Sequence, residues 1–213
     1  MREWLRPCLL ASALLASKAV LAAAPPAASG DAGLGSASAD VQWIARWALA
    51  SGDSAGFPYV VIDKVNAQVY VFDARGHLQG ADAALLGMGR GDGSGAGIGT
   101  RRMATIAPTE RITPAGRFMA SIEQDLHGQE ILLIDYDASI ALHPVVKGQP
   151  IERRAERLQS PTAQDNRISF GCINVPLAFY QSVVSRVFGK TNGVVYILPE
   201  ASSAQGWFAK KSR

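Results

Sequence analysis

The chain has 213 residues, of which 48% are hydrophobic and 18% are charged. This composition excludes a disordered or fibrous protein, and the length suits one ordinary domain with a leader or a tail. The formal net charge is only +3, with 21 basic against 18 acidic residues.

Residues 1–22 have the pattern of a secretory signal peptide. Arg2 and Arg6 precede an apolar run that is shorter than the roughly 20 residues of a membrane span. The alternative is a short buried helix. Cleavage after Ala22 would leave 18 basic against 17 acidic residues, a net charge of +1. We therefore expect an exported protein, with the periplasm as its location, no transmembrane segment after cleavage and no nucleic-acid partner.

The residues that follow the signal peptide change from flexible to helical and then to extended patterns. Residues 23–37 are rich in Ala, Pro and Gly and predict a flexible leader. Residues 38–56 predict an N-terminal helix, over 38–50, and a connection: Asp40 lies near the start, Gly52 follows the end, and Val41, Ile44 and Ala48 share one face. Patterns of period two then predict strands at 59–63, 68–73, 78–86, 117–122, 130–135, 138–143 and 194–198.

The remaining segments are loops, one clear helix and a tail. The glycine-rich residues 87–100 predict a mobile loop, because they lack the Lys and Ser/Thr of a phosphate loop. Residues 144–167 predict a long polar loop with a short helix, and 175–188 an amphipathic helix. Residues 200–213 predict a polar, basic tail. Many short strands with few helices predict a mostly β domain.

Cys172 is the strongest candidate for a nucleophile. Loss of the signal peptide would also remove Cys8, leaving Cys172 as a lone thiol in an exported chain. It directly precedes the predicted helix, whose N-terminal N–H groups would stabilise a thiolate and an oxyanion. Gly171 would let the backbone approach a substrate. A buried structural thiol is the alternative.

A thiol nucleophile needs a base, and the chain has three histidines. His77 and His127 fall in predicted turns, where exposed surface histidines are common. His143 instead ends a predicted strand, a position from which catalytic side chains often reach a cleft. A structural histidine at this position is the alternative.

At Ser169-Phe170-Gly171-Cys172-Ile173-Asn174 the chain resembles the L,D-transpeptidase catalytic domain, also called the YkuD domain. That family has a histidine, a spacer and then Ser/Thr-His-Gly-Cys-hydrophobic-Asn. Residues 113–118 resemble its upstream Thr-Pro-x-Gly-x-Phe segment, and 59–73 resemble its first hairpin. The resemblance covers residues 57–199, which we take as the catalytic domain.

The resemblance implies a mostly antiparallel β-sandwich with a few short helices and a catalytic cleft. It implies that Cys172 attacks a tetrapeptide stem of peptidoglycan, that D-alanine leaves, and that an amine resolves the thioester. The amine would belong to a second stem or to a wall-attached protein. His143 would be the general base and then the acid, backbone N–H groups at Gly171 and Cys172 the oxyanion hole, and Asn174 the support of the turn. The family needs no metal and no organic cofactor.

The chain departs from the family pattern in two places. Phe170 stands where a second histidine is usual, and the 25 residues between His143 and Ser169 exceed the usual spacer. Ser169 and Phe170 would still face the substrate. Arg117 and Arg167 flank the matching motifs and could bind stem-peptide carboxylates, although solvated surface arginines are the alternative.

Two other functions remain open. A carboxypeptidase or hydrolase would resolve the same thioester with water, and acceptor choice depends on cleft shape and water access. A catalytically weak module that binds peptidoglycan is a different class, which Phe170 favours and the intact Cys172 disfavours.

Overall fold

The computed structural model describes residues 34–146 and 148–209. The predicted signal peptide, most of the leader and the last four residues of the tail lie outside this part of the chain. Among the described residues, no helix is both long and apolar enough to cross a membrane.

The described residues form a sheet-rich domain with a few short helices, as the sequence predicts. The strands are β1 Tyr59–Asp63, β2 Gln68–Phe72, β3 Leu78–Ala83, β4 Leu86–Gly87, β5 Gly116–Gln124, β6 Glu130–Asp135, β7 Ile140–Pro144, β8 Arg167–Ser169, β9 Ile173–Val175 and β10 Gly193–Ile197. The helices are α1 Ala39–Ala50, α2 Arg154–Leu158, α3 Leu177–Phe179, α4 Arg186–Phe188 and α5 Ala204–Phe208. Short 3₁₀ turns occupy Ile98–Thr100, Met103–Thr105, Pro108–Glu110 and Pro150–Glu152.

The strands pair into a mixed sheet. Within the described residues the large sheet has eight strands in the order β3-β2-β1-β10-β5-β6-β7-β9, and β4 pairs separately with β8. The pairs β1–β10 and β7–β9 are parallel, whereas the other neighbours in the large sheet are antiparallel. A hairpin turn reverses the chain and so gives antiparallel neighbours, whereas strands that pair in parallel need a long crossover connection. The predicted antiparallel character is therefore only partial, and the sandwich arrangement stays a prediction.

The two ends of the large sheet approach each other. Leu85, which follows β3, forms an antiparallel bridge with Asn174 of β9, with N–O distances of 2.8 and 2.9 Å in the two directions. This bridge nearly closes the sheet. It also brings the start of the glycine-rich segment next to the Cys172 motif, although the two are far apart in sequence.

Apolar side chains lie on both faces of the central strands. In β1, Val60 and Ile62 belong to one apolar cluster, and Tyr59 and Val61 belong to another on the opposite face. Residues 59–62 of β1 are consequently buried on both faces of the strand, which explains why they form a continuous apolar run.

Helix α1 covers the second of these clusters. Ser38 caps it by accepting a hydrogen bond from the Val41 N–H, and Val41, Ile44 and Ala48 are buried as the periodicity predicts. The predicted tail contains the short helix α5, and Phe208 in that helix is buried, with its ring centroid 6.3 Å from that of Trp47. The prediction of a simple polar tail is therefore wrong for residues 204–208.

The predicted helix over 175–188 starts later than expected. Residues 173–175 pair with β7 as β9, and Pro176 precedes α3. Between α3 and α4, Tyr180–Ser185 form a π-helical segment. Phe179, Tyr180, Val184 and Phe188 are buried in this stretch, whereas Leu177 is 53% exposed.

A buried ion cluster fixes the loops behind the Cys172 motif. The Lys64 ammonium donates to the Gly91 carbonyl at 2.7 Å, the Asp92 carboxylate at 2.9 Å and the Thr113 carbonyl at 3.0 Å. Burial lowers the pKa of Lys64, and its Asp92 partner opposes that shift. Through Gly91 and Asp92 the cluster anchors part of the glycine-rich segment to the domain, so hydrogen bonds fix these two residues.

Candidate active site

Cys172 lies in the tight connection between β8 and β9. Its side chain is half-buried, and Sγ donates a hydrogen bond to the Ser139 carbonyl at 3.4 Å. Because β9 and Pro176 separate Cys172 from α3, the thiol does not sit at a helix N-terminus. The predicted stabilisation of a thiolate by a helix end is therefore wrong.

Two polar side chains hold the Cys172 turn. Ser169 Oγ donates to the Cys172 carbonyl at 2.6 Å and accepts from the Gly171 N–H at 3.1 Å. Asn174 Nδ2 donates to the same Cys172 carbonyl at 3.3 Å. Ser169 and Asn174 are almost fully buried, so both side chains bond the Cys172 turn from inside the fold rather than contact solvent. The role of Asn174 as the support of this turn stays a prediction.

Gly171 satisfies a geometric requirement of the same turn. Its φ is +134°, and a Cβ there would lie 2.8 Å from the Ile112 carbonyl oxygen and 2.9 Å from Ile140 Cδ1. Thr113 Oγ1 donates to the Gly171 carbonyl at 2.7 Å and accepts from the Gly87 N–H at 2.9 Å. The Thr-Pro-x-Gly segment and the Cys172 motif are thus in direct contact.

Replacement of Gly171 with alanine is expected to misplace the thiol. The added Cβ must displace backbone, and the backbone strain alone costs about 1–3 kcal/mol. We expect a lower melting temperature and slower alkylation of Cys172 by iodoacetamide. Gly128, which has a φ of +76° and open space around its Cβ position, offers a matched alanine control for backbone strain without a clash. Equal alkylation rates in the Gly171→Ala and Gly128→Ala variants would show that the clash does not reach the thiol.

His143 lies on β7, which pairs with β9 next to Cys172. In the register, His143 is opposite Asn174 and Leu142 is opposite Ile173. His143 Nδ1 is 2.8 Å from the Pro144 carbonyl oxygen. A carbonyl can only accept, so Nδ1 carries the hydrogen and Nε2 has the free lone pair of a base.

Cys172 and His143 line the same cavity, which has a volume of about 580 Å³. Its floor is one face of β5, β6 and β7, where Glu123 is opposite Ile131 and Leu133 is opposite Ala141. Residues 99–100, 125–126, 129, 136–137 and 139, together with Val146, form its walls. Within the described part of the chain, no group of three or more His, Cys, Asp or Glu residues is arranged to hold a metal ion.

The two central groups are both neutral in this environment. Burial raises the pKa of the Cys172 thiol, and a hydrogen bond from the Ala141 backbone opposes the shift. Burial lowers the pKa of His143; the Pro144 carbonyl and Asp125 oppose this shift, and the Arg154 charge adds to it. The resting pair is consequently a thiol and a neutral imidazole, which favours general-base activation over a preformed thiolate–imidazolium pair.

The other predicted substrate-binding residues do not line this cavity. Phe170 packs under the Arg111 guanidinium, whose central carbon is 3.9 Å from the ring centroid. Arg167 is buried and forms an ion pair with Glu200, and Arg117 pairs with Asp53 at 2.6 Å. Their guanidinium groups are therefore occupied within the fold, and the structure places neither arginine at Cys172.

Sequence reasoning did not single out several residues that the structure brings to the site. Glu123, Asp125 and Asp137 supply carboxylates to the cavity lining. Arg154 reaches Asn174 from the long segment between β7 and β8. The polar, arginine-rich composition of that segment was visible in the sequence, but nothing in it distinguished Arg154 from its neighbours.

Comparisons with known proteins give weak likenesses among solved structures alone. No family model matches the chain, and no curated protein matches it. Among solved structures, the L,D-transpeptidase LdtMt1 in complex with imipenem is similar over 66% of this chain, at 14% identity and a TM-score of 0.37. The match spans 58% of the length of that protein.

Proposed function

We propose that this protein is an exported cysteine acyltransferase of the L,D-transpeptidase type that acts on peptidoglycan stem peptides. The observation that carries the proposal is the placement of Cys172 and His143 in one cavity. The motif around Cys172 and its contact with the Thr-Pro-x-Gly segment support it. Residues 1–22 would direct export, and residues 57–199 would form the catalytic domain.

In the proposed acylation step, His143 Nε2 takes the proton from Cys172 Sγ as the sulfur attacks the carbonyl of the third stem residue. The Gly171 N–H donates to Ser169 Oγ in this structure, so we assign the Cys172 N–H as a donor to the developing oxyanion. The tetrahedral intermediate collapses when His143 returns the proton to the leaving amine of D-alanine. A thioester on Cys172 results.

In the second step an amine attacks the thioester, and His143 accepts and returns a proton in the same way. The carboxylates of Glu123, Asp125 and Asp137 give the cavity a negative lining, which favours substrates that carry an ammonium group. An amine of a second stem or of a wall-attached protein has this chemistry. Attack by water would release a tripeptide instead.

The proposal is tested by incubating the protein with a purified disaccharide-tetrapeptide and separating the products by mass. A cross-linked dimer, with one D-alanine released for each bond, is the expected result. Tripeptide as the sole product would mean that water resolves the thioester, and the protein would then be a hydrolase rather than a transferase. The absence of both products, from folded protein with a titratable thiol, would contradict both enzymatic proposals and leave the binding module.

A further inference from the structure

The long segment between β7 and β8 contacts the nucleophile turn through one side chain. Arg154 Nη1 donates to Asn174 Oδ1 at 2.9 Å, and Asn174 Nδ2 donates to the Cys172 carbonyl at 3.3 Å. Two consecutive hydrogen bonds therefore join Arg154 to the backbone of the nucleophile. Asn174 is 1% exposed, so water does not readily replace the guanidinium as its partner.

We propose that Arg154 is a positioning residue that fixes the Cys172 turn through Asn174, which makes the long segment part of the active site. The proposal rests on the proposed function only for its effect on turnover. Its effects on the thiol and on the imidazole follow from the structure alone.

The guanidinium of Arg154 is itself held in place. Its Nε donates to Glu152 at 2.7 Å, and its side chain is only 11% exposed. Glu152 also accepts from the Gln149 N–H at 3.2 Å, and Arg157 Nε donates to the Glu152 carbonyl at 2.7 Å. These hydrogen bonds within the segment hold the Arg154 guanidinium next to Asn174. Nε donates to Glu152 while Nη1 donates to Asn174, and only arginine has two donors in this fixed geometry.

The charge of Arg154 acts on the base as well. It disfavours the imidazolium form of His143, in the same direction as burial, whereas Asp125 and the Pro144 carbonyl act in the opposite direction. The other ionisable groups that line the cavity with His143 include Cys172 from the β8–β9 connection, Glu123 from β5, and Tyr136 and Asp137 from the β6–β7 turn. Loss of the Arg154 charge is therefore expected to raise the pKa of His143.

Three variants separate these effects. Arg154→Met keeps much of the aliphatic stem but loses the charge and the donors. Arg154→Lys keeps the charge and loses the fork. Arg153→Met is the matched control, because Arg153 is the adjacent arginine, pairs with Glu156 and has a 70% exposed side chain.

The first measurement is the NMR titration of the His143 imidazole, with His77 and His127 as internal references. We expect a higher midpoint in Arg154→Met and the unmodified midpoint in both Arg154→Lys and Arg153→Met. The second measurement is the turnover of the disaccharide-tetrapeptide. Turnover is expected to fall roughly tenfold in Arg154→Met, because the turn that holds Cys172 is less well oriented. The acidic limb of its pH profile is expected to move to higher pH, because loss of the Arg154 charge raises the pKa of His143.

A folded Arg154→Met variant in which neither the rate of Cys172 alkylation by iodoacetamide nor the His143 midpoint moved would overturn the proposal, even if turnover fell, because a merely structural loss would give that result. A midpoint that moved equally in Arg153→Met would also overturn it. If the unmodified protein did not turn over the stem peptide, the proposed function would fail. The imidazole titration and the rate of Cys172 alkylation by iodoacetamide would still decide the role of Arg154.

Discussion

Replacement of Cys172 with alanine is expected to abolish turnover, with a loss on the order of 10⁴ or more. The thiol is the group that forms the proposed covalent bond, and the hydroxyl of Ser169 in the same motif is buried and bonded to the Cys172 carbonyl. The fold is expected to remain, because the side chain is half-buried and Sγ makes a long 3.4 Å contact with the Ser139 carbonyl. Turnover of the stem peptide and the melting temperature are the measurements.

The Cys172→Ala result separates the enzyme from the binding module. A folded variant that still turned over the stem peptide would remove Cys172 as the nucleophile. If the unmodified protein showed no turnover and the folded Cys172→Ala variant still bound peptidoglycan as well as the unmodified protein, the binding module would be favoured.

Replacement of His143 with glutamine is expected to lower turnover by about 10² or more, because the proton of a neutral thiol then has no base. The pKa of Cys172 is raised, so little thiolate exists at neutral pH to react without that base. His127→Gln is the matched control, since His127 is exposed on the β5–β6 connection. Similar turnover in the two variants would remove His143 as the base.

The proposed roles of the same groups predict how turnover by the unmodified protein depends on pH. His143 must be unprotonated to accept the thiol proton, and burial lowers its pKa below the ordinary value of 6.5. The acidic limb of the profile is therefore expected below pH 6.5, and activity should persist as the pH falls through the range where a solvated histidine is protonated. An acidic limb above pH 6.5 would contradict the neutral thiol–imidazole pair.

The local patterns predicted the elements that position the site. Asp40, Gly52 and the spacing of Val41, Ile44 and Ala48 were sufficient for α1, because signals at the helix ends and an apolar face are local properties. The hairpin of β1 and β2 was equally local. The position of His143 near the end of β7 was visible from the apolar run before it.

Other features depend on partners that are distant in sequence. Residues 173–175 have a pattern that suits a helix or a strand, and pairing with β7 determines that they form β9. Phe208 docks because Trp47 and Tyr196 lie beside it, which no local pattern reports. Arg167 is close to Cys172 in sequence, yet its partner Glu200 holds it within the fold.

The same limit applies within the candidate site. Cys172 and Gly171 could be selected from the motif, and His143 from its position at a strand end. The contact between Arg154 and Asn174 joins residues 20 positions apart through an irregular segment, so only the folded structure reveals it.

The most direct test of the central claim is intact-protein mass spectrometry after incubation with the disaccharide-tetrapeptide or with a carbapenem. The account predicts a covalent adduct on the unmodified protein that maps to Cys172 and is absent from Cys172→Ala. Folded protein with a reactive thiol that formed no adduct with either compound would contradict it.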